Sequence, residues 1–147
     1  MVDELDRKIV RSMNINARKS FREIAKETEI SVTAVINAVK KLESGGAIKG
    51  YIPVLNPESF GYALTAVIAL RISHGKLLET QKKISADPRV AAVYDVTGEW
   101  DSFIIALFHG RDDLNIFLKK LNTMPFVDRT VTHIVLNTIK DDRRVRV

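Results

Sequence analysis

Apolar residues in the N-terminal third of the chain recur at helical spacing and predict three short helices. The first covers residues 3–13, where apolar positions are three or four residues apart. The second begins at Ser20–Glu23, which has the serine and glutamate of a capping box, and the third begins at Ser31, a favourable N-cap residue. Gly45-Gly46 ends the third helix. Because only a few residues separate the last two helices, the pattern predicts a helix-turn-helix.

The predicted third helix, residues 31–44, has one apolar and one polar face. The apolar face contains Val32, Val35, Ile36, Val39 and Leu42. The polar face contains Thr33, Asn37, Lys40, Lys41 and Ser44. This polar face lacks acidic residues and has short hydrogen-bonding side chains near its N-terminus, as helices that read bases do. A solvated surface helix is the alternative, and the absence of acids favours nucleic-acid binding over it.

The segment after this helix is expected to connect two domains. Residues 47–56 are predicted to form a strand, and Pro53 restricts that strand to an edge or connecting position because proline cannot donate to a ladder. Residues 57–61 are predicted to form one helical turn closed by Gly61. The predicted boundary therefore spans residues 51–61.

The rest of the chain contains an internal repeat with a spacing of 37 residues. Ile68-Ala69-Leu70 corresponds to Ile105-Ala106-Leu107, and Pro88 corresponds to Pro125. Each unit reads as strand, helix, proline-containing turn and strand. The predicted strands are 63–73, 90–97, 102–109 and 129–139, and the predicted helices are 76–86 and 112–123. Two such units in tandem predict a ferredoxin-like βαββαβ sandwich, so the expected fold class is α+β.

Two strands of this sandwich are apolar on both faces. In Leu64–Ile72 even the second face is partly apolar, and Phe103–Phe108 is an unbroken apolar run. Both helices are expected to cover the same face of the sheet, whereas strands apolar on both faces are normally covered on both. The sequence therefore predicts a homodimer formed through the open face.

Composition and charge narrow the class of protein. The content of 46% hydrophobic and 28% charged residues is typical of a globular domain. The chain has no cysteine, no apolar run of the ~20 residues that span a membrane and no signal region at its acidic start, so we expect a cytoplasmic protein. Residues 1–50 carry ten Lys/Arg and seven Asp/Glu, residues 51–139 carry nine of each, and residues 140–147 carry four and two. A polyanionic partner would therefore meet the ends of the chain.

The residue pattern gives little support to catalysis. His74, His109 and His133 are not spaced as metal ligands or as members of a Ser-His-Asp triad. No glycine-rich phosphate loop follows a strand. Glu99 and Asp101 could form an acid pair, but no second polar cluster accompanies them. We expect a protein that is not an enzyme and has no metal or cofactor.

The segment Thr97–Ser102 contains the only tryptophan of the chain. Gly98 suits a turn that needs a positive φ between the second and third strands of the sandwich. In a plain turn the large apolar side chain of Trp100 would be exposed to solvent. An aromatic ring at the end of a sheet is more typical of a place that a ligand or another subunit covers.

Taken together, the two halves resemble the Lrp/AsnC (leucine-/asparagine-responsive, or feast/famine) transcription regulators of prokaryotes. The resemblance rests on LDRKIVRSMNINARKSFREIA, LESGGAIKGYIPVLNPESFGY and DPRVAAVYDVTGEWDSFI. It implies a winged helix-turn-helix at residues 1–50, a linker at 51–61 and a ferredoxin-like assembly and effector domain at 62–147. It also implies dimers that assemble to octamers or similar particles, and an amino acid bound between dimers.

The combined interpretation is a DNA-binding transcriptional regulator modulated by a small molecule. The residues expected to contact duplex DNA are Arg18, Arg22, Ser31, Thr33, Ala34, Asn37, Lys40, Lys41 and Lys49. The residues expected at the effector site are Thr97, Gly98, Glu99, Trp100, Asp101 and Thr132.

Three positions depart from the family pattern. Ala38 stands where an arginine is common, which is expected to remove a guanine or phosphate contact. Glu29 stands where a glycine is usual, so a left-handed and mildly strained backbone is expected there. Trp100 replaces a commoner tyrosine and would narrow the effector pocket. Two alternatives remain open: an architectural DNA-binding protein of low sequence specificity, favoured by Ala38, and a haem-precursor decarboxylase built on the same two-domain frame.

Overall fold

The computed structural model describes residues 2–147 and contains the three predicted N-terminal helices. They are α1 (Glu4–Ile15), α2 (Phe21–Thr28) and α3 (Val32–Ser44). The predicted capping box is present, with Ser20 accepting from the Glu23 amide and Glu23 accepting from the Ser20 amide. Ser31 caps α3 by accepting from the Ala34 amide at 3.2 Å. The helix-turn-helix prediction is therefore confirmed.

The three helices enclose a small apolar core. Its buried members are Ile9, Ile24, Ala25, Val35, Ala38 and Val39. The face of α3 that packs inward differs from the predicted one at two positions. Val32 is 37% exposed and Ala38 is only 5% exposed. The helix is therefore rotated slightly towards Ala38, which is small enough to let α3 approach its neighbours closely.

The turn between α2 and α3 has a left-handed residue at its first position. Glu29 has φ +57° and ψ +39°, and its amide bonds to the Ala25 carbonyl. It is the only residue other than glycine with a positive φ in the part of the chain that is described. The left-handed backbone expected at Glu29 is confirmed.

The connecting segment does not form the predicted strand. Residues 47 and 48 form a bend, residues 49–56 have no regular structure, and none of them makes a ladder in the described chain. Ile52 and Val54 are 88% and 96% exposed. A strand needs a partner to satisfy its backbone groups, and periodicity alone does not supply one. The predicted turn is present as a 3-10 turn at Pro57–Phe60, which Gly61 ends with φ +83°.

The second half of the chain forms the predicted four-stranded antiparallel sandwich. Its elements are β1 (Leu64–Ile72), α4 (Leu77–Ser85), β2 (Val90–Asp95), β3 (Ser102–Phe108), α5 (Arg111–Asn122) and β4 (Val127–Ile134). The strand order is β2-β3-β1-β4, which confirms the ferredoxin-like topology. The last strand ends at Ile134, before its predicted end at residue 139.

Both helices of the sandwich cover one face of the sheet. The core there consists of Ala66, Ile68, Leu70, Ile72, Ile84, Ile104, Ala106, Phe108, Leu114, Phe117 and Leu121. Residues that alternate with these, including Val67, Ile105 and Leu107, project from the other face and are half-buried. We call this second side the open face.

The C-terminal tail belongs with the first half of the chain. Residues up to Val54 and Lys140–Val147 form one compact unit, and Leu55–Ile139 form the other. Arg11 donates to the Val147 carbonyl at 2.7 Å, and Asn14 donates to the Val145 carbonyl at 3.0 Å. The sequence analysis placed residues 140–147 in the second domain, whereas the structure ties them to α1.

Candidate nucleic-acid interface and effector loop

The outer face of α3 presents three of the expected DNA-contacting side chains. Thr33, Asn37 and Lys40 are exposed, and within the described residues their side chains form no hydrogen bond or ion pair. Ser31 is exposed as well, but its hydroxyl is engaged as the helix cap. Ala34 is half-buried one turn further along. This face can therefore offer an amide, a hydroxyl and an ammonium group to a ligand.

Lys41 is placed differently from the expectation. Its ammonium lies 2.7 Å from an Asp6 carboxylate oxygen and 3.0 Å from an Asp3 carboxylate oxygen. The hydrogen bond to Asp6, and to a smaller extent the one to Asp3, raises the pKa of Lys41. The Asp6 amide and then Lys41 lower the pKa of Asp3. Lys41 thus joins α3 to the start of α1, an interaction that helical periodicity could not reveal because its partners are distant in sequence.

Ala38 does not lie on the outer face of α3. It is buried among core residues, including Ile9 and Ile24. The alanine side chain therefore packs into the core, and the loss of a DNA contact relative to an arginine stays a prediction.

Further cations surround α2 and α3. Arg18 and Arg22 lie at the start of α2, and Lys49 follows α3. All three are exposed and form no ion pair within the described chain, unlike Lys19, which contacts Glu27 at 2.7 Å. Of the cations expected to contact DNA, these three residues and Lys40 are available for phosphate groups.

The loop between β2 and β3 is attached firmly to the end of β1. Gly98 has φ +111°, so the positive φ expected there is confirmed. The Asp101 amide donates to the Leu70 carbonyl at 2.9 Å, and its carboxylate accepts from the Ile72 amide at 2.8 Å. Asp101 therefore continues the pairing of β3 with β1 by one residue and satisfies a buried backbone donor.

Two arginines hold the tip of this loop. Arg71 donates through Nε to the Glu99 carbonyl at 2.9 Å. The guanidinium of Arg129 lies over the ring of Trp100, 5.3 Å from its centroid, in a cation–π contact. Trp100 is consequently half-buried instead of exposed. The sequence analysis did not identify either arginine, because the strand register that brings them to the loop is a long-range property.

The two acids of the loop have different environments. The Asp101 carboxylate is bonded to a backbone amide, whereas Glu99 is exposed and has no side-chain partner among the described residues. Thr97 is exposed near Gly98. Thr132 is separated from this group, because it pairs with the buried Ile68 and so lies on the helix-covered face of the sheet. Arg129 lies on the opposite face.

A buried polar chain lies directly behind the loop. Gln81 on α4 donates to the Ser102 hydroxyl at 3.3 Å, and that hydroxyl donates to the Tyr94 carbonyl at 2.9 Å. Ser102 is completely buried. Neither side chain was predicted from the sequence, although a serine that opens an unbroken apolar strand is a signal of a satisfied internal hydroxyl.

The histidines are dispersed. All three are exposed, and His109 also bonds to the Gly61 carbonyl at 2.9 Å and stacks on Tyr62 with ring centroids 4.4 Å apart. Within residues 2–147 no group of three His, Cys, Asp or Glu side chains is arranged to hold a metal ion. None of the described helices is long and apolar enough to cross a membrane.

Comparison with known proteins agrees with this geometry. Residues 2–43 match the AsnC-type helix-turn-helix domain, and residues 65–145 match the Lrp/AsnC ligand binding domain. An uncharacterised HTH-type transcriptional regulator of Pyrococcus abyssi is 43% identical over 145 residues, covering 99% of each chain.

Solved structures have the same fold over the whole chain. AsnC of E. coli is 26% identical with a TM-score of 0.90, covering 100% of this chain and 99% of that one. A feast or famine regulatory protein of M. tuberculosis, complexed with L-methionine, is 29% identical with a TM-score of 0.88 and full coverage of both chains. The protein described here is therefore a member of the Lrp/AsnC family of helix-turn-helix transcriptional regulators.

Proposed function

We propose that this protein regulates transcription by reading duplex DNA with the outer face of α3, and that an amino acid bound at residues 97–101 modulates it. The DNA-binding part is carried by one observation: Thr33, Asn37 and Lys40 project from an acid-free helix face without protein partners in the described chain. Hydroxyl, amide and ammonium groups are of the kinds that contact base edges in a major groove. As a regulator of prokaryotic genes, the protein would act in the cytoplasm.

Phosphate contacts would come from Arg18, Arg22, Lys40 and Lys49. Each neutralised phosphate contributes a slope of about −0.9 to the dependence of log K on log salt, so four contacts give about −3.6 per subunit. The paired Lys41 is left out of this set because its ammonium already contacts two carboxylates.

Binding can be measured by selecting preferred sites from random-sequence duplexes and then titrating the best one by fluorescence anisotropy at several salt concentrations. We expect Lys40→Ala to weaken binding and to reduce the salt slope by about 1. Lys82→Ala removes an exposed cation from α4 and serves as the matched control. Binding that ignores both salt and Lys40→Ala would contradict the proposal.

We further propose that the functional unit is a homodimer joined through the open face, with assembly to an octamer or similar particle. Val67, Ile105 and Leu107 form a half-buried apolar surface on that face. A second copy would cover it, and a two-fold contact places two α3 helices on a pseudo-palindromic site.

Light scattering after size exclusion tests this assembly. Ile105→Lys should yield monomers, because it introduces a charge into the proposed interface. Ile116→Lys, which changes an already exposed residue of α5, should leave the dimer intact. A dimer that survives Ile105→Lys would rule out this face.

The effector part of the proposal rests on the loop geometry and on the similar M. tuberculosis protein that holds L-methionine. The loop is anchored by Asp101 and half-covered at Trp100, so a ligand would meet a defined surface instead of a mobile turn. Free amino acids should raise the melting temperature of the whole protein, and Asp101→Ala should abolish the shift. Glu58→Ala, in the linker turn, should keep it. If no amino acid shifted the melting temperature, the proposal of an amino-acid effector would be wrong.

Neither alternative gains support from the geometry. The architectural interpretation depended on Ala38, which is a core residue. The haem-precursor decarboxylase would need arginines and histidines clustered in the second domain, and His74, His109 and His133 are dispersed there. We therefore propose that the protein acts by binding and not as an enzyme.

A further inference from the structure

Arg71 and Arg129 face each other across the sheet. They are directly opposite in the antiparallel pairing of β1 with β4. The neighbours of Arg71 in β1, Leu70 and Ile72, belong to the core beneath the helices, so both arginines project from the open face. Directly opposed residues have Cβ atoms roughly 4.5–5.5 Å apart. The two arginine side chains thus leave the sheet next to each other, at the end where the loop is attached.

Neither arginine has a carboxylate partner in the part of the chain that the structure describes. The well-paired Arg89, by contrast, contacts both Asp87 and Asp113. Like charges directly opposite each other in a sheet are destabilising. A pair of like charges that no carboxylate of the described chain neutralises indicates a site that an anion completes.

Residues of the loop between β2 and β3 orient both guanidinium groups. The Glu99 carbonyl takes the Nε donor of Arg71, and the Trp100 ring lies against Arg129. The terminal nitrogens of both groups make no hydrogen bond to the described chain, and these are the donors that bind carboxylates bidentately. The loop therefore fixes the direction of two free carboxylate-binding forks.

The remaining polar groups complete the pattern. Asp101 is occupied by the Ile72 amide, which leaves the exposed Glu99 carboxylate as the acceptor for an ammonium group. A neutral amino acid has one carboxylate and would leave one guanidinium unpaired. An amino acid with a carboxylate side chain supplies two carboxylates for the two arginines and one ammonium for Glu99.

We propose that Arg71 and Arg129 determine effector specificity and that the effector is an acidic amino acid of the glutamate or aspartate type. This inference rests on the proposed function of residues 97–101 as an effector site. It adds the chemical class of the ligand and two residues that recognise it.

Calorimetric titration of the whole protein with matched ligands tests the proposal. We expect L-glutamate or L-aspartate to bind at least about tenfold more tightly than its amide, L-glutamine or L-asparagine, and than L-methionine, because the amide loses one charge-assisted fork. Glutarate and succinate, which lack the ammonium group, should bind more weakly than the corresponding amino acids.

Variants assign the effect to the two arginines. Arg71→Gln and Arg129→Gln should each weaken binding of the acidic ligand by about tenfold or more. Arg111→Gln, at the exposed start of α5, should not change it.

The outcomes separate this inference from the proposed function. If an amide or L-methionine binds as tightly as the acids, the specificity inference is wrong and the effector site stands. If no amino acid binds, both fail. If Arg71→Gln or Arg129→Gln converts a dimer into monomers, the pair is a subunit contact and the inference is overturned.

Discussion

Asp6 on α1 and Lys41 on α3 form a 2.7 Å ion pair in which the carboxylate is completely buried and the ammonium is half exposed. The same carboxylate oxygen accepts from the Asp3 amide, so it also closes the capping box of α1. One side chain thereby links the start of the first helix to the helix proposed to read DNA. The position of α3 against α1 depends on a charge pair as well as on the apolar core.

Removing the charge of Asp6 should destabilise the helical unit. Asp6→Asn keeps the shape but loses a hydrogen bond between charged groups, which costs about 1.5–3 kcal/mol of unfolding free energy. Glu4→Gln, an exposed acid in the same helical turn, is the matched control and should change it by less than about 0.5 kcal/mol. Urea denaturation measures both, and equal effects would show that the buried pair contributes nothing.

Replacing the strained residue of the helix-turn-helix should stabilise the protein. Glu29→Gly relieves a left-handed backbone that costs about 1–2 kcal/mol. Glycine also gives the unfolded chain more conformational freedom, which lowers the unfolding free energy by about 0.4–1 kcal/mol. The expected net gain is about 0.5–1 kcal/mol. Lys26→Gly, at an exposed helical position of α2, should instead destabilise by about 1 kcal/mol. Loss of stability on Glu29→Gly would mean that the glutamate side chain contributes more than its backbone costs.

The Asp101 carboxylate should matter more to the loop than that of Glu99. Asp101→Ala leaves the buried Ile72 amide without an acceptor, which should lower the unfolding free energy by about 1–3 kcal/mol. Glu99→Ala should have an effect within about 0.5 kcal/mol, because the group that binds Arg71 is its backbone carbonyl. Hydrogen exchange at the Ile72 amide should accelerate in the first variant alone. Unchanged protection there would contradict the assigned bond.

Acid should weaken the second unit through Asp87. The Arg89 guanidinium, with help from the Arg89 amide and Lys120, holds the pKa of Asp87 well below its ordinary value of 3.8. A carboxyl group whose folded pKa is depressed contributes stability that is present above pH 3.8 and is lost as the pH falls towards the folded pKa. The unfolding free energy should therefore drop below about pH 4, and Asp87→Asn should flatten that part of the profile. Identical acid limbs in wild type and variant would disprove the assignment.

Local patterns predicted most of the elements. Caps at Ser20 and Ser31 and the positive φ of Gly98 depend on residues a few positions apart, and the structure contains all three. The 37-residue repeat indicated the sandwich because each copy carries its own strand and helix periodicity. The strand predicted at 47–56 is absent because a ladder depends on a partner, which periodicity does not report.

The sequence by itself determined the order of the helices and of the four sandwich strands, the acid-free face of α3 and the glycine turn before Trp100. Only the tertiary structure decided that Ala38 faces the core, that Lys41 belongs to Asp6, and that Arg71 lies beside Arg129. The physical reason is the distance along the sequence over which each feature is set. Helix faces and turns follow from backbone geometry over a few residues, whereas partners of charged side chains depend on helix rotation and strand register, which the whole core sets at once.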